Sequence, residues 1–274
     1  MKPPDFLLSA HDLTIGYPGR TICRNIDLHL RRGEIFCLLG PNGCGKTTLF
    51  KTLLGLLPAQ GGTLYLRDAE LKKISRAEIA RTLAYVPQMQ ASAFPFTAEE
   101  IVLMGRAIHR PAFVAPSKED RRMARAALSR LGIGALAERD VTRLSGGQRQ
   151  LVGIARALAQ EAALIVMDEP TASLDFGNQA RVLAEIRHLA EEGVSILLST
   201  HDPDHAFALA SRVALMKGGK IVAQGAVADV MQRERLQDIY DVPVNLASLA
   251  NGQIICAPDL ASLHASRQAG TLMP

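Results

Sequence analysis

The sequence predicts an α/β fold: a mostly parallel sheet covered on both faces, an N-terminal antiparallel β subdomain and an inserted α-helical subdomain. Three observations predict it. The runs Glu34–Leu39, Leu164–Met167 and Ile196–Ser199 are short and almost wholly apolar, as buried strands are. Helical patterns alternate with the last of these runs through the C-terminal half, which implies parallel strands joined by crossovers. Between about 97 and 162 there are helix signals and no strand signal.

The elements follow in order. Residues 6–36 and 61–67 read as short strands joined by turns at Gly16-Tyr17-Pro18-Gly19 and Gly61-Gly62. The run Glu34–Leu39 enters a glycine-rich loop. Thr47 to Leu57 reads as a helix leaving that loop, with Leu49, Leu53, Leu56 and Leu57 on one face and Pro58 as the stop. Ser75-x-x-Glu78, Thr97-x-x-Glu100 and Ser145-x-x-Gln148 are capping boxes that open helices, and Ser117 caps another that Gly132 closes. Leu83–Val86 is a strand running into Pro87-Gln88. After Met167 come a helix at about 178–191, the loop Thr200-His201-Asp202, a helix near 204–210, and a hairpin turned at Lys217–Lys220. The tail adds a helix over 230–240 and a strand at Ile254-Ile255.

Composition narrows the function. The chain has 274 residues, 48% hydrophobic, enough for one large α/β domain with an inserted lobe. Tryptophan is absent and other aromatics are sparse, which argues against a base-stacking surface and so against nucleic acid. The net charge of +4 is spread along the chain. Cys23, Cys37, Cys44 and Cys256 have neither metal-site nor disulfide spacing and read as cytosolic thiols. The N-terminus resembles no signal peptide, and no apolar run approaches the ~20 residues that span a bilayer. Membrane association is therefore expected only through a partner.

Three motifs carry chemistry. Gly40-Pro41-Asn42-Gly43-Cys44-Gly45-Lys46-Thr47 fits a phosphate-binding loop: glycines let backbone N–H groups curl around an anion, Lys46 supplies a cation for the β and γ phosphates, and Thr47 can ligate Mg²⁺. Thr48 follows in the helix whose N-terminus faces the phosphates. Asp168 and Glu169 end an apolar strand; the first suits a metal's shell, and the second can deprotonate a water. In Leu144-Ser145-Gly146-Gly147-Gln148, two glycines in a first helical turn cost about 1 kcal/mol each relative to alanine. They suit a helix start that meets an anion closely. Tyr17 stays open between packing on its hairpin and offering a face to a nucleotide base.

These motifs together resemble the nucleotide-binding ATPase subunits of ATP-binding cassette (ABC) transporters, over residues 6 to about 225: the phosphate loop, Gln88, the signature 144–148, 164–169, Ser173-Leu174-Asp175 and His201, in family order. The resemblance implies a P-loop NTPase core over 1–228, with the helical subdomain inserted at about 97–162 and a C-terminal extension at 229–274. It implies ATP and Mg²⁺, and a head-to-tail homodimer with ATP between one copy's phosphate loop and the other's signature helix. Ser145, Gly146, Gly147 and Gln148 would then face the partner's nucleotide. Tyr17 would stack on adenine, Gln88 would sense Mg²⁺ and the attacking water, Asp175 would reach across the dimer, and His201 would hold the γ-phosphate.

A narrower likeness in Phe94–Arg106, Leu236–Tyr240 and Gly252–Ile255 is to importers of iron-siderophore, haem, cobalamin or molybdate. It implies integral membrane permease subunits, a periplasmic or extracellular substrate-binding protein, and a place on the cytoplasmic face of the inner membrane. A soluble or exporter-associated ABC ATPase is the alternative.

Two local expectations complete the reading. The apolar Phe94-Pro95-Phe96, in what reads as a loop, is explained by docking to a membrane partner between Gln88 and Arg106, or by packing inside the helical lobe. Cys44, beside a helix N-terminus and Lys46, is expected to have a lowered pKa and to react until nucleotide covers it, while Cys37 is expected to be inert.

Overall fold

The computed structural model describes residues 6–88, 94–111 and 113–263. Part of the expected docking stretch, 89–93, and the end of the tail, 264–274, lie outside the described residues. Two long strands, β1 (Phe6–Tyr17) and β2 (Arg20–Arg31), form an antiparallel hairpin. β3 (Ile35–Leu39) follows, buried at every position, then α1 (Lys46–Leu53), β4 (Gly61–Leu66), the short β5 (Ala69–Glu70), α2 (Arg76–Thr82) and β6 (Leu83–Val86). The helical insertion is α3 (Ala98–Gly105), α4 (Lys118–Arg130) and α5 (Gly146–Ala159). All three open with reciprocal capping boxes, from Thr97 with Glu100, Ser117 with Asp120 and Ser145 with Gln148. The chain then runs through β7 (Leu164–Asp168), α6 (Phe176–Glu191), β8 (Ser195–Thr200), α7 (Pro203–Leu209), β9 (Arg212–Lys217) and β10 (Lys220–Ala226). It finishes with α8 (Val227–Val230), α9 (Arg233–Tyr240), β11 (Val244–Ser248) and β12 (Ile254–Pro258).

Among the described residues these strands form three sheets. The N-terminal sheet has order β2-β1-β4-β5 and is antiparallel; the central sheet has order β10-β9-β3-β8-β7-β6; β11 and β12 pair with each other. In the central sheet every pairing from β9 to β6 is parallel, and only the β9–β10 hairpin is antiparallel.

Strand alternation divides the interior in two, because successive side chains point to opposite faces. From β3, β7 and β8, Cys37, Leu39, Ile165, Met167, Ile196 and Leu198 join a core shared with α3–α6 and with Leu236 and Ile239 of α9. From the same strands, Phe36, Leu38, Leu164, Val166 and Leu197 join a second core with α1 and the N-terminal sheet.

Buried charge in the helical insertion is paired, as burial demands. Glu99 meets Arg121 at 3.5 Å and Arg125 at 2.7 Å. The buried guanidinium of Arg106 binds Asp120 at 3.3 Å and the Ala159 carbonyl at 2.7 Å.

The elements differ from expectation at three places. α1 stops at Leu53, because Gly55 turns left-handed (φ 70°) and Leu56 and Leu57 fold back to donate to the Lys51 carbonyl. Leu56 is therefore 62% exposed rather than packed. The expected tail helix over 230–240 starts later, as α9 at Arg233: Val230 instead ends the short α8, Met231 leaves helical geometry with its side chain buried, and the extended Gln232 starts α9. The strand at 254–255 extends to Pro258 and has an unforeseen partner in β11.

A pair of truncations tests this packing. Leu197→Ala, in the fully buried β8, is expected to lower the unfolding free energy by about 2–5 kcal/mol. Leu56→Ala, beyond the end of α1, is expected to change it by less than about 0.5 kcal/mol. Urea unfolding followed by circular dichroism measures both.

Candidate functional site

The site forms where β3, β7 and β8 end side by side. β3 feeds the loop 40–45 into α1. Gly43 (φ 79°) and Gly45 (φ 112°) take conformations open to glycine. Gly40 is required for another reason: a Cβ there would lie 2.2 Å from the Met216 carbonyl of β9. Asn42, Gly43 and Thr47 are exposed, whereas Thr48 and Lys46 are buried. The Lys46 ammonium donates to the carbonyls of Gly40 at 2.8 Å and Pro41 at 3.1 Å, and it pairs with Glu169 Oε1 at 3.1 Å.

The second set of groups hangs on the parallel register that places Asp168 beside Ser199. The Ser199 hydroxyl donates to Asp168 Oδ1 at 2.7 Å and accepts the Glu169 N–H at 3.0 Å. Tyr85 Oη donates to the other Asp168 oxygen at 3.4 Å, and burial together with that carboxylate raises the tyrosine's pKa. Glu169 sits at φ 46°, a left-handed conformation unusual for a side-chain-bearing residue. Its Oε2 accepts from His201 Nδ1 at 3.2 Å. One carboxylate thus bridges the loop lysine and the histidine after β8.

A cavity of about 280 Å³ opens on this bridge, lined among others by Asn42, Gln88, Glu169, Ser173, His201 and His205. The fold therefore brings together Lys46, Asn42, Gln88, Asp168, Glu169 and His201. Sequence reasoning missed Ser199, Tyr85 and His205. The last contacts the Thr171 and Thr200 hydroxyls at 3.2 and 3.3 Å, and burial lowers its pKa. A serine inside an apolar strand is the one faint signal for Ser199.

The remaining candidates stand apart from this cavity. Tyr17 is exposed at the end of β1. Ser145 is exposed and caps α5, accepting the Gln148 N–H at 3.3 Å, while Gln148 Oε1 accepts the Ser145 N–H at 3.1 Å. Gly147 is buried against α6, where an added Cβ would lie 2.5 Å from Asn178 Oδ1. That contact within the chain accounts for one of the two signature glycines. Asp175 caps α6, accepting the Asn178 N–H at 2.8 Å and the Asn178 amide at 2.9 Å. Asn178 thus links Asp175 to the signature helix.

Comparison with known proteins gives the family. Residues 23–172 match the ABC transporter family. The chain is 44% identical to an uncharacterized ABC transporter ATP-binding protein of Haemophilus influenzae, over 85% of this chain and 89% of that one. It is 36% identical to the iron(3+)-hydroxamate import ATP-binding protein FhuC of Bacillus subtilis, over 88% and 90%. A solved transporter described as of the metal-chelate ABC type, in an inward-facing conformation, superimposes with a TM-score of 0.83 and 32% identity, over 94% of this chain and 99% of that one.

The expectation for Cys44 is overturned, whereas Cys37 is fully buried, as expected of an inert thiol. Cys44 is only 7% exposed, and burial raises its pKa against the opposing pull of Lys46 and the loop amides. Burial also pushes Cys23 up to about 12 and Cys37 above its ordinary value. Cys256 is half-buried and pushed up to about 11 by burial, with Asp204 and Asp202 adding to the shift. A raised pKa means little thiolate at pH 7. Maleimide labelling is expected to be slow there and to rise about tenfold per pH unit up to pH 9, as the thiolate fraction does. Cys256→Ser is expected to remove most of the labelling that mass spectrometry detects, and Cys44→Ser almost none.

Proposed function

The chain belongs to the ABC transporter family as an ATP-hydrolysing subunit, and we propose that it powers import of a metal chelate or related small solute through a separate membrane permease. The observation that carries the proposal is the Glu169 carboxylate held between Lys46 and His201 at the mouth of the phosphate loop. Two relatives point to the cargo class: the named hydroxamate importer and the solved metal-chelate type transporter.

The chain's own residues divide the work. The loop amides, the N-terminus of α1 and Lys46 bind the phosphates of ATP. Incoming phosphate charge competes with Glu169 for the Lys46 ammonium and frees the carboxylate to accept a proton from water. The residues fit Mg²⁺: Thr47 offers an exposed hydroxyl, and Gln88 lines the cavity. Asp168, 1% exposed and already bonded to two hydroxyls, would reach the metal through water. Bound Mg²⁺ would neutralise charge on the transferring phosphoryl group. His201 binds the Glu169 carboxylate and would hold the γ-phosphate.

Two assembly surfaces complete the reading. Ser145 is exposed outside the cavity of its own chain, so a second copy is what would bring a signature helix to the nucleotide in a homodimer. A groove of about 540 Å³ separates the end of α1 and α2 from the helical insertion, lined by Leu56, Ile79, Tyr85, Met104, Arg156 and Gln160. Leu56 and Met104 are exposed there, as are both rings of Phe94 and Phe96 nearby in sequence. This apolar surface suits a permease. Among the described residues no helix is long and apolar enough to cross a membrane. The chain then sits peripherally on the cytoplasmic face, with a substrate-binding protein supplying cargo on the far side.

Glu169→Gln is expected to bind ATP normally while hydrolysis falls about 10²–10⁴-fold. Gel filtration with Mg-ATP should then show an accumulated dimer; wild-type turnover would remove Glu169 from the reaction. Met104→Glu is expected to keep ATP binding and the melting temperature but to abolish copurification with the permease and ATP-driven uptake of ferric hydroxamate. Retained copurification would place docking elsewhere.

A further inference from the structure

We propose that Tyr240 is a positioning residue for His201, and that residues 233–258 brace the loop on which His201 stands. The proposal rests on the role of His201 given above. Tyr240 ends α9, and its Oη donates to the backbone carbonyl of His201 at 2.8 Å. The His201 side chain in turn donates to Glu169 at 3.2 Å. The tail is therefore two hydrogen bonds away from the carboxylate that would take the proton from water.

Tyr240 is itself firmly placed. Leu236 and Ile239 of α9 are buried in the core beneath the central sheet. Asp241 stops the helix in a left-handed conformation (φ 57°). Lys217, at the end of β9, donates to the Asp238 carbonyl and to Asp241 Oδ1 at 2.7 Å, tying the last turn of α9 to the central sheet. A second grip comes from the hairpin: the Cys256 N–H of β12 donates to Asp204 Oδ1 at 2.7 Å. Asp204 N–H donates to Asp202 Oδ1 at 2.8 Å, closing the first turn of α7. The segment His201–Asp204 is thus held at both ends by residues of the C-terminal extension.

A half-buried tyrosine needs some acceptor for its hydroxyl. The acceptor here is the carbonyl of the one loop residue whose side chain binds Glu169. Because the peptide unit is planar, fixing that carbonyl restricts where the His201 Cα and ring can go. The loop is otherwise exposed at His201, so the anchor substitutes for packing. A ring displaced by an ångström no longer meets the carboxylate, and misplacement of that size is costly to turnover.

Tyr240→Phe removes only the hydroxyl. In the full chain with Mg-ATP, kcat is expected to fall about 3–10-fold, the scale of one lost hydrogen bond. KM for ATP should stay within about twofold, since the phosphate-binding groups are untouched. In a His201→Ala background the same change should be silent, because no ring remains to be positioned. An unchanged kcat in Tyr240→Phe, or an equal loss in both backgrounds, overturns the proposal. If His201→Ala itself turns over at the wild-type rate, the role given to His201 fails and takes this proposal with it. An impaired His201→Ala with a silent Tyr240→Phe overturns the brace alone. Should Tyr240→Phe not fold, Lys217→Met, which releases the end of α9 from β9, must show the same His201-dependent loss, and equal losses in both backgrounds overturn the proposal.

Discussion

One buried hydroxyl holds the site together. Ser199 Oγ donates to Asp168 and accepts from the Glu169 backbone, so it fixes both acids at the end of β7 from the neighbouring strand. The same strand delivers His201 two residues later. Parallel register thereby sets the geometry of the candidate site: a slip of one residue between β7 and β8 would turn Ser199 to the other face and separate the histidine from its carboxylate. The strained conformation of Glu169 persists because this bond, Lys46 and His201 over-determine it.

Much of this was legible in the chain. The apolar runs of β3, β7 and β8 announced strands buried on both faces, and both faces are covered, each by its own core. The capping boxes at Thr97 and Ser145 are present as reciprocal hydrogen bonds. Asp168 and Glu169 at the end of β7, the loop before α1 and His201 converge, as the family resemblance implied for them. Local signals succeed here because caps and apolar runs depend on residues close in sequence.

What escaped the sequence depends on distant partners or on one local rule overriding another. Nothing near Ser199 or Tyr240 reveals what they bind; Tyr240 finds its acceptor 39 residues away. Gly55 ended α1 before the leucine pattern did, a conflict between periodicity and a glycine stop. Cys44 has the charged neighbours that favour thiolate, but burial outweighs them. Gly147 was read for what it could offer an anion, while its closest constraint is Asn178 in the same chain.

The position of β3 also governs biosynthesis. Among the described residues the strand that carries the phosphate loop pairs only with β8 and β9, and the bond from Gly33 to Ser195 spans 162 residues. A ribosome making this protein therefore exposes a wholly apolar strand long before its hydrogen-bonding partners emerge. At about 5–20 residues per second, that interval lasts on the order of ten seconds or more. The β1–β2 hairpin and α1, made within the same early stretch, contribute to the core on one side of β3 and can shelter that face. Its edges stay open, so the nascent chain passes through a window in which chaperone capture and premature association compete for the element on which ATP binding depends.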